Sequence, residues 1–272
     1  MLRTLKILSV LFACLSLIGC TTVEATYENA SVRLPVNVFG TYAQKVNAAN
    51  IAAEQRAMFA RKRPQYPASP LAQLAGKFLD GVKLPVIAYF HGCGGILRAS
   101  IKHLSWLSTY DDFVIIAPDS FARTRPEYCF RNFTVNYLVG PQVRAMRMNE
   151  MYHALEQIAK LPWVDTNNIF LIGHSQGGGM VAGYGGDVKI RGRIILNGGC
   201  YDNFGENMND DEALLTFDTG KDPWFRNYPS SCRDYVLRHP GGKSVWEPEG
   251  TTHDLVNSHW PMVDAFLKDN RH

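Results

Sequence analysis

From Pro85 to the C-terminus, short apolar runs alternate with longer amphipathic stretches. The segments Val86–Phe90, Phe113–Ala117, Ile169–Ile172, Ile194–Asn197, Leu214–Phe217 and Lys243–Trp246 predict strands. Most are unbroken β-branched or apolar runs, the pattern of parallel strands covered on both faces. Between two of them, Gln142–Lys160 sets Val143, Met146, Met151, Leu155 and Ile158 on one stripe at helical spacing. Such a stripe is a core-facing helix surface. Strand–helix alternation of this kind predicts an α/β fold: a mostly parallel central sheet with helices on both faces.

The first 83 residues read differently. Tyr42–Arg61 is Ala-rich and predicts one helix, and the Pro-rich residues 64–70 predict a turn-rich connector. At the N-terminus, basic Arg3 and Lys6 precede an apolar stretch from Ile7 to Ile18, with no charge between Lys6 and Glu24. That stretch is too short to span a bilayer, which needs roughly 20 residues, and fits a secretory leader. It ends Leu17-Ile18-Gly19-Cys20, which resembles the lipobox of bacterial lipoproteins. The resemblance implies that Cys20 becomes an acylated N-terminus, and that Thr21 at the next position directs the protein to the outer membrane. The expected organisation is a leader over 1–19, a polar tether over 20–40, and a single domain over 41–272 that is clearest from residue 84.

Composition narrows the function classes. The 272 residues are 46% hydrophobic and 19% charged, which excludes a disordered, collagen-like or coiled-coil chain. The 28 basic residues exceed the 25 acidic ones by three, and two of the basic ones lie in the leader, leaving +1. A near-neutral body has no electrostatic footprint for nucleic acid, and Arg61-Lys62-Arg63 reads as a solvated turn. Beyond Cys14 and Cys20 the chain has Cys93, Cys129, Cys200 and Cys232, none in a CxxC spacing. An even number of thiols in an exported domain predicts structural disulfides.

The candidate chemistry lies after the strands. Ile169–Ile172 leads into Gly173-His174-Ser175-Gln176-Gly177, then a small-residue, helix-compatible run. A bare G-x-S-x-G is weak; a buried strand before it and a helix after it give it meaning as a nucleophile elbow. Glycine is needed at both ends because a Cβ would collide with the adjoining strand and helix. Gly177–Ala182 also matches G-x-G-x-x-A, but it starts inside the predicted helix and lacks the acidic residue about twenty positions on, so it is not a dinucleotide site. Val86–Phe90 leads into His91-Gly92-Cys93-Gly94-Gly95, a turn whose N–H groups can face a substrate oxygen. Past Leu214–Phe217 come two candidate acids, Asp218 and Asp222. Past Lys243–Trp246 comes His253 as candidate base, with His259 as its rival. His174 reads as a neighbour of the site, and His103, His153 and His239 as packing or surface residues.

Together these residues resemble the α/β-hydrolase family, in the branch of dienelactone hydrolases and secreted serine esterases. The resemblance runs from about Leu84 to His272 and rests on His91–Gly95, Pro118-Asp119-Ser120, Gly173–Gly177, Asp222-Pro223 and Gly250–Asp254. It departs at the elbow, where dienelactone hydrolase has Cys and this chain has Ser175, and the family's N-terminal antiparallel strands are not evident. The resemblance implies Ser175 as nucleophile, His253 as base and Asp222 as acid, with oxyanion donors on the backbone of Cys93 and Gln176. It implies no metal and no cofactor. His91, Tyr201 and Trp224 are expected near the substrate, with Phe121 and Arg123 in adjoining loops. The family's sheet order also implies the pairs Cys93–Cys129 and Cys200–Cys232, since each joins loops after neighbouring strands. Expected partners are a small or polymeric ester and, through the lipid, a membrane. A peptidase or acyltransferase of the same fold, or a silent surface lipoprotein, stays open, and oligomeric state is not legible.

Overall fold

The computed structural model describes residues 81, 83–110, 113–121, 126–130, 133–200, 208–225 and 232–272, with the backbone of strands at 36–39 and 68–70. Among the described residues eight strands form one sheet. They are β1 (Val36–Phe39), β2 (Ala68–Pro70), β3 (Leu84–Phe90) and β4 (Val114–Pro118), then β5 (Val164–His174), β6 (Gly192–Leu196), β7 (Ala213–Thr219) and β8 (Lys243–Glu247). Their order is β2-β1-β4-β3-β5-β6-β7-β8. From β4 to β8 every neighbouring pair is parallel. Among the described residues the helices are α1 (Arg98–Leu107), α2 (Gly140–Ala159), α3 (Gln176–Ala182), α4 (Arg233–Val236) and α5 (Trp260–Asp269).

The six strands expected from the apolar runs are all present, and side-chain alternation explains why both faces are covered. Val86, Ala88 and Phe90 of β3 point to one side, against Met151, Leu155 and Ile158 of α2 and Met180 and Val181 of α3. Ile87 and Tyr89 point to the other side, against Leu104 and Leu107 of α1 and Trp260, Val263 and Phe266 of α5. A strand packed on both sides needs apolar residues at every position, and β4 and most of β3 are buried throughout. Strand β5 starts five residues earlier than expected. Its lead-in carries the polar Asp165, Thr166 and Asn167, which hide it from a hydrophobicity pattern.

At one edge the sequence reading is corrected. Val36–Phe39, expected as the end of a tether, pairs antiparallel with β4, and Ala68–Pro70, expected as part of a connector, pairs antiparallel with β1. These are the antiparallel opening strands that the sequence did not reveal. Three- and four-residue strands carry almost no pattern of their own; the ladder of β4 supplies the pairing of β1, and β1 that of β2. Proline is tolerated in β2 because that strand lies at the sheet edge. The helix expected over Tyr42–Arg61 lies outside the described residues.

Candidate active site

Parallel strands β3, β5, β7 and β8 all end at the same edge of the sheet, and each delivers a candidate residue in the loop that follows. Ser175 comes immediately after β5 and caps α3 with φ 56° and ψ −120°. This is a conformation that costs a non-glycine residue on the order of 1–3 kcal/mol. Neighbours enforce it. A Cβ on Gly173 would overlap the Gly177 carbonyl, and one on Gly177 would overlap the Phe90 carbonyl of β3. The Ser175 N–H donates to the Leu196 carbonyl at 2.9 Å, which ties the turn to β6. The residue is 9% exposed, at the floor of the edge rather than on its rim.

Asp222 lies three residues beyond β7 and is 2% exposed. One carboxylate oxygen accepts the Trp224 N–H at 2.8 Å, and the other faces the Nδ1 of His253 at 2.5 Å. The loops carrying acid and base are stitched together. Gly220 N–H donates to Glu247, Lys221 N–H to Gly250, and the Thr219 hydroxyl to the Thr252 carbonyl at 2.7 Å. With Nδ1–H directed at the carboxylate, Nε2 of His253 is buried and has no hydrogen-bond partner among the described residues. Rings enclose the imidazole: His174 at 5.1 Å, Phe225 at 5.6 Å and Trp224 at 5.8 Å between centroids. An Asp-held imidazole with an open second nitrogen can accept a proton from a neighbouring hydroxyl and later return it.

The rivals sit elsewhere. Asp218 accepts the Thr216 hydroxyl at 3.0 Å and is buried, which pushes its carboxyl up to about 6. His259 pairs with Glu247 at 2.8 Å and packs on Phe217. Neither is joined to Asp222 or His253 by a hydrogen bond among the described residues.

Beneath His253 lies a buried polar layer. His174 donates from Nε2 to the His253 carbonyl at 2.7 Å, fixing the backbone of the base loop. Burial, then the nearby His103 and His253, holds the His174 imidazole well below the usual histidine range, so it stays neutral. His103 accepts the Tyr89 hydroxyl at 2.9 Å and donates to Asp254 at 2.6 Å. Burial alone would raise the Asp254 carboxyl; the hydrogen bond from His103 and the nearby Lys102 more than offset that and lower it. His103 was expected as a packing residue, and it is one, with a specific hydrogen-bonding task. His153 is half-buried on α2, and His239 bonds the carbonyls of Pro240 and Asn209.

His91 departs from its expectation as a substrate contact. Its Nε2 accepts the Ser120 N–H at 3.1 Å, its Nδ1 donates to the Gly92 carbonyl at 2.7 Å, and the residue is fully buried. Both ring nitrogens are committed to holding the turn, so the side chain offers nothing to a substrate. Trp224 stands beside His253 with Phe133 edge-on to it at 5.4 Å, and Phe121 packs against Gly95. Tyr201, Arg123 and Cys20 lie outside the described residues.

Arg147 was missed by sequence reading. It is 1% exposed on α2, and its guanidinium donates to the His91 carbonyl at 2.8 Å and the Gln176 side-chain oxygen at 2.7 Å. Three residues on, Glu150 accepts the Ser120 hydroxyl at 2.5 Å. The available signal was a pair of charges inside an otherwise apolar helical stripe.

Two disulfides join the cysteines as the sheet order implied: Cys93–Cys129 with Cα atoms 5.9 Å apart and Cys200–Cys232 with 5.0 Å. Each closes a loop of more than thirty residues, worth about 3.7 kcal/mol in the chain-entropy picture. Since Cys93 sits in the turn over Ser175, reduction is expected to lower activity before it lowers helicity. Parallel activity and circular-dichroism titrations with a thiol reductant check this; simultaneous loss of both signals would show the bridges to be purely global staples.

No family model matches the chain, and no curated protein matches it. Solved structures do. An acetyl xylan esterase from Paenibacillus sp. R4 superposes over 81% of this chain and 93% of its own, with TM-score 0.53 and 16% identity. The Bacillus cereus carboxylesterase covers 69% and 89%, with TM-score 0.51 and 16% identity. A Klebsiella pneumoniae protein described as a dienelactone hydrolase covers 70% and 89%, with TM-score 0.50 and 15% identity. What the chain shares with them is the α/β-hydrolase fold.

Proposed function

We propose that the protein is an exported serine hydrolase of carboxylic esters, held at a bacterial membrane by lipid on Cys20. One observation carries the enzymatic part: buried Asp222 bonds Nδ1 of His253 while Nε2 is left unpartnered, at the sheet edge that also carries Ser175 on its strained turn. In this reading Nε2 of His253 takes the Ser175 proton as Oγ attacks the ester carbonyl. The oxyanion that forms is met by the backbone N–H groups of Cys93 and Gln176. His253 then gives the proton to the leaving alkoxide, and an acyl group remains on Ser175. Water, deprotonated by the same imidazole, releases the acid and restores the serine. Asp222 keeps the proton on Nδ1 and stabilises the imidazolium formed at each step. Proteins named as carboxylesterase and acetyl xylan esterase share the fold, which favours an ester over an amide as substrate.

The test is direct. A fluorophosphonate probe is expected to label Ser175, and a series of nitrophenyl esters of increasing chain length to be hydrolysed with a defined optimum. Absence of labelling in folded protein overturns the serine mechanism. For the anchor, Cys20→Ala is expected to abolish acylation and leave the protein unprocessed or released from membranes. An unacylated mature N-terminus downstream of Cys20, found by intact-mass analysis, refutes it.

A further inference from the structure

The two proposed oxyanion donors come from different loops, Cys93 after β3 and Gln176 after β5. Nothing in either loop alone fixes their relative position. Arg147 reaches both. Its Nη2 donates to the His91 carbonyl at 2.8 Å, and its Nη1 to the Gln176 Oε1 at 2.7 Å and to the Gly92 carbonyl at 3.4 Å. We infer that Arg147 is a positioning residue that aims the His91–Gly92 and Gly92–Cys93 peptides and couples them to Gln176, so that the oxyanion hole is formed before substrate arrives.

Peptide geometry dictates where these N–H groups point. In a trans peptide the C=O and the following N–H point in opposite directions, and no cis bond occurs among the described residues. Fixing the His91 and Gly92 carbonyls on the guanidinium therefore turns the N–H groups of Gly92 and Cys93 away from Arg147. The turn lies directly over the nucleophile, since a Cβ on Gly92 would come within 3.2 Å of the Ser175 Cβ. The Gly92 carbonyl also accepts His91 Nδ1 at 2.7 Å and Gly95 N–H at 3.1 Å. Donors on a carbonyl polarise its peptide and strengthen the N–H at the other end.

Arginine suits the task. Its fork is planar, always charged and multidentate, whereas a lysine would supply one rotatable point charge. Burying a cation costs several kcal/mol unless hydrogen bonds offset it, and the acceptors on the two terminal nitrogens supply that offset, so a side chain 1% exposed on a core helix holds them firmly. Ser120, just past β4, braces the same turn through the His91 ring, with Glu150 holding the Ser120 hydroxyl.

This inference rests on the serine-hydrolase reading, and the experiment keeps the two apart. Wild type, Arg147→Met, Arg147→Lys, Gln176→Ala and the core control Met151→Ala are compared on one nitrophenyl ester and on a trifluoromethyl ketone inhibitor. The ketone forms an oxyanion on Ser175. Arg147→Met is expected to lose roughly 30- to 100-fold in kcat with KM within about threefold, below the loss for deleting a donor outright. Inhibitor affinity falls by the same factor, and Arg147→Lys and Gln176→Ala fall between. Met151→Ala lowers the melting temperature without touching kcat. Wild-type kcat in folded Arg147→Met, or a loss confined to KM, overturns the inference. Should Arg147→Met fail to fold, Gln176→Ala decides, because it takes an acceptor from the fork at a half-buried position and keeps its own backbone N–H; unchanged kcat and inhibitor affinity there overturn it. If instead wild type is not labelled at Ser175, the hydrolase reading itself has failed.

Discussion

Ser175→Ala is expected to lower ester hydrolysis by about a million-fold in kcat while leaving the fold intact. The loss is that large because the rest of the site cannot act without an attacking oxygen. An Asp-held imidazole and aligned backbone donors still accelerate a direct attack by water, by roughly 10³–10⁴ over solution, and that residue is what the assay would detect. The fold survives for a local reason. The elbow is set by Gly173 and Gly177 and by the Ser175 N–H bond to Leu196, none of which involves the hydroxyl. Alanine meets the same penalty at φ 56° as serine, so the two states shift together. Steady-state turnover and a thermal melt on the same preparation check both halves. Activity above a few per cent of wild type would remove Ser175 from the mechanism.

How far the sequence went depends on how local each determinant is. The elbow was legible because its constraint is steric and carried position by position: a Cβ at Gly173 or Gly177 would overlap neighbouring backbone. The six parallel strands were legible because two-sided burial forces continuous apolar runs, as in Val114–Pro118. Strands β1 and β2 were not, since the open edge of β4 dictates the pairing of β1, and β1 in turn that of β2, rather than their own residues. His91 was placed in the right turn, but its direction was not legible. That depends on Ser120, twenty-nine residues away, offering an N–H to its ring. Arg147 failed for the opposite reason. A charge on a helix ordinarily marks the solvated side, and only the arrival of the His91 carbonyl and the Gln176 side chain from two other loops gives a buried arginine its acceptors there.

The sequence favours Asp222 as the acid, in the loop beyond its strand, but leaves Asp218 as a rival because both follow an apolar run and both precede a turn; a paired substitution decides it. Asp222→Asn is expected to lose about 10⁴-fold in kcat. A neutral amide in its place can donate to Nδ1, which moves the imidazole proton to Nε2 and leaves nothing to accept from Ser175. It also withdraws the negative charge that stabilises the imidazolium. Asp218→Asn is expected to stay within a few-fold of wild type, because Asp218 bonds Thr216 rather than His253, and to make the protein more stable. The sign follows from linkage. Burial raises the folded carboxyl from 3.8 to about 6. Between those values the folded state holds its proton while the unfolded state has lost it, so stability falls as pH rises through that window. Above pH 6 the whole cost persists, at most about 3 kcal/mol. Asparagine cannot ionise, and the Thr216 hydroxyl can rotate to serve either end of its amide. Melting curves should therefore put Asp218→Asn several degrees above wild type at pH 8 and level with it near pH 4. Loss of turnover in Asp218→Asn with retention in Asp222→Asn would transfer the acid to Asp218, and a pH-independent gap in melting temperature would show that its burial is not what keeps the proton on.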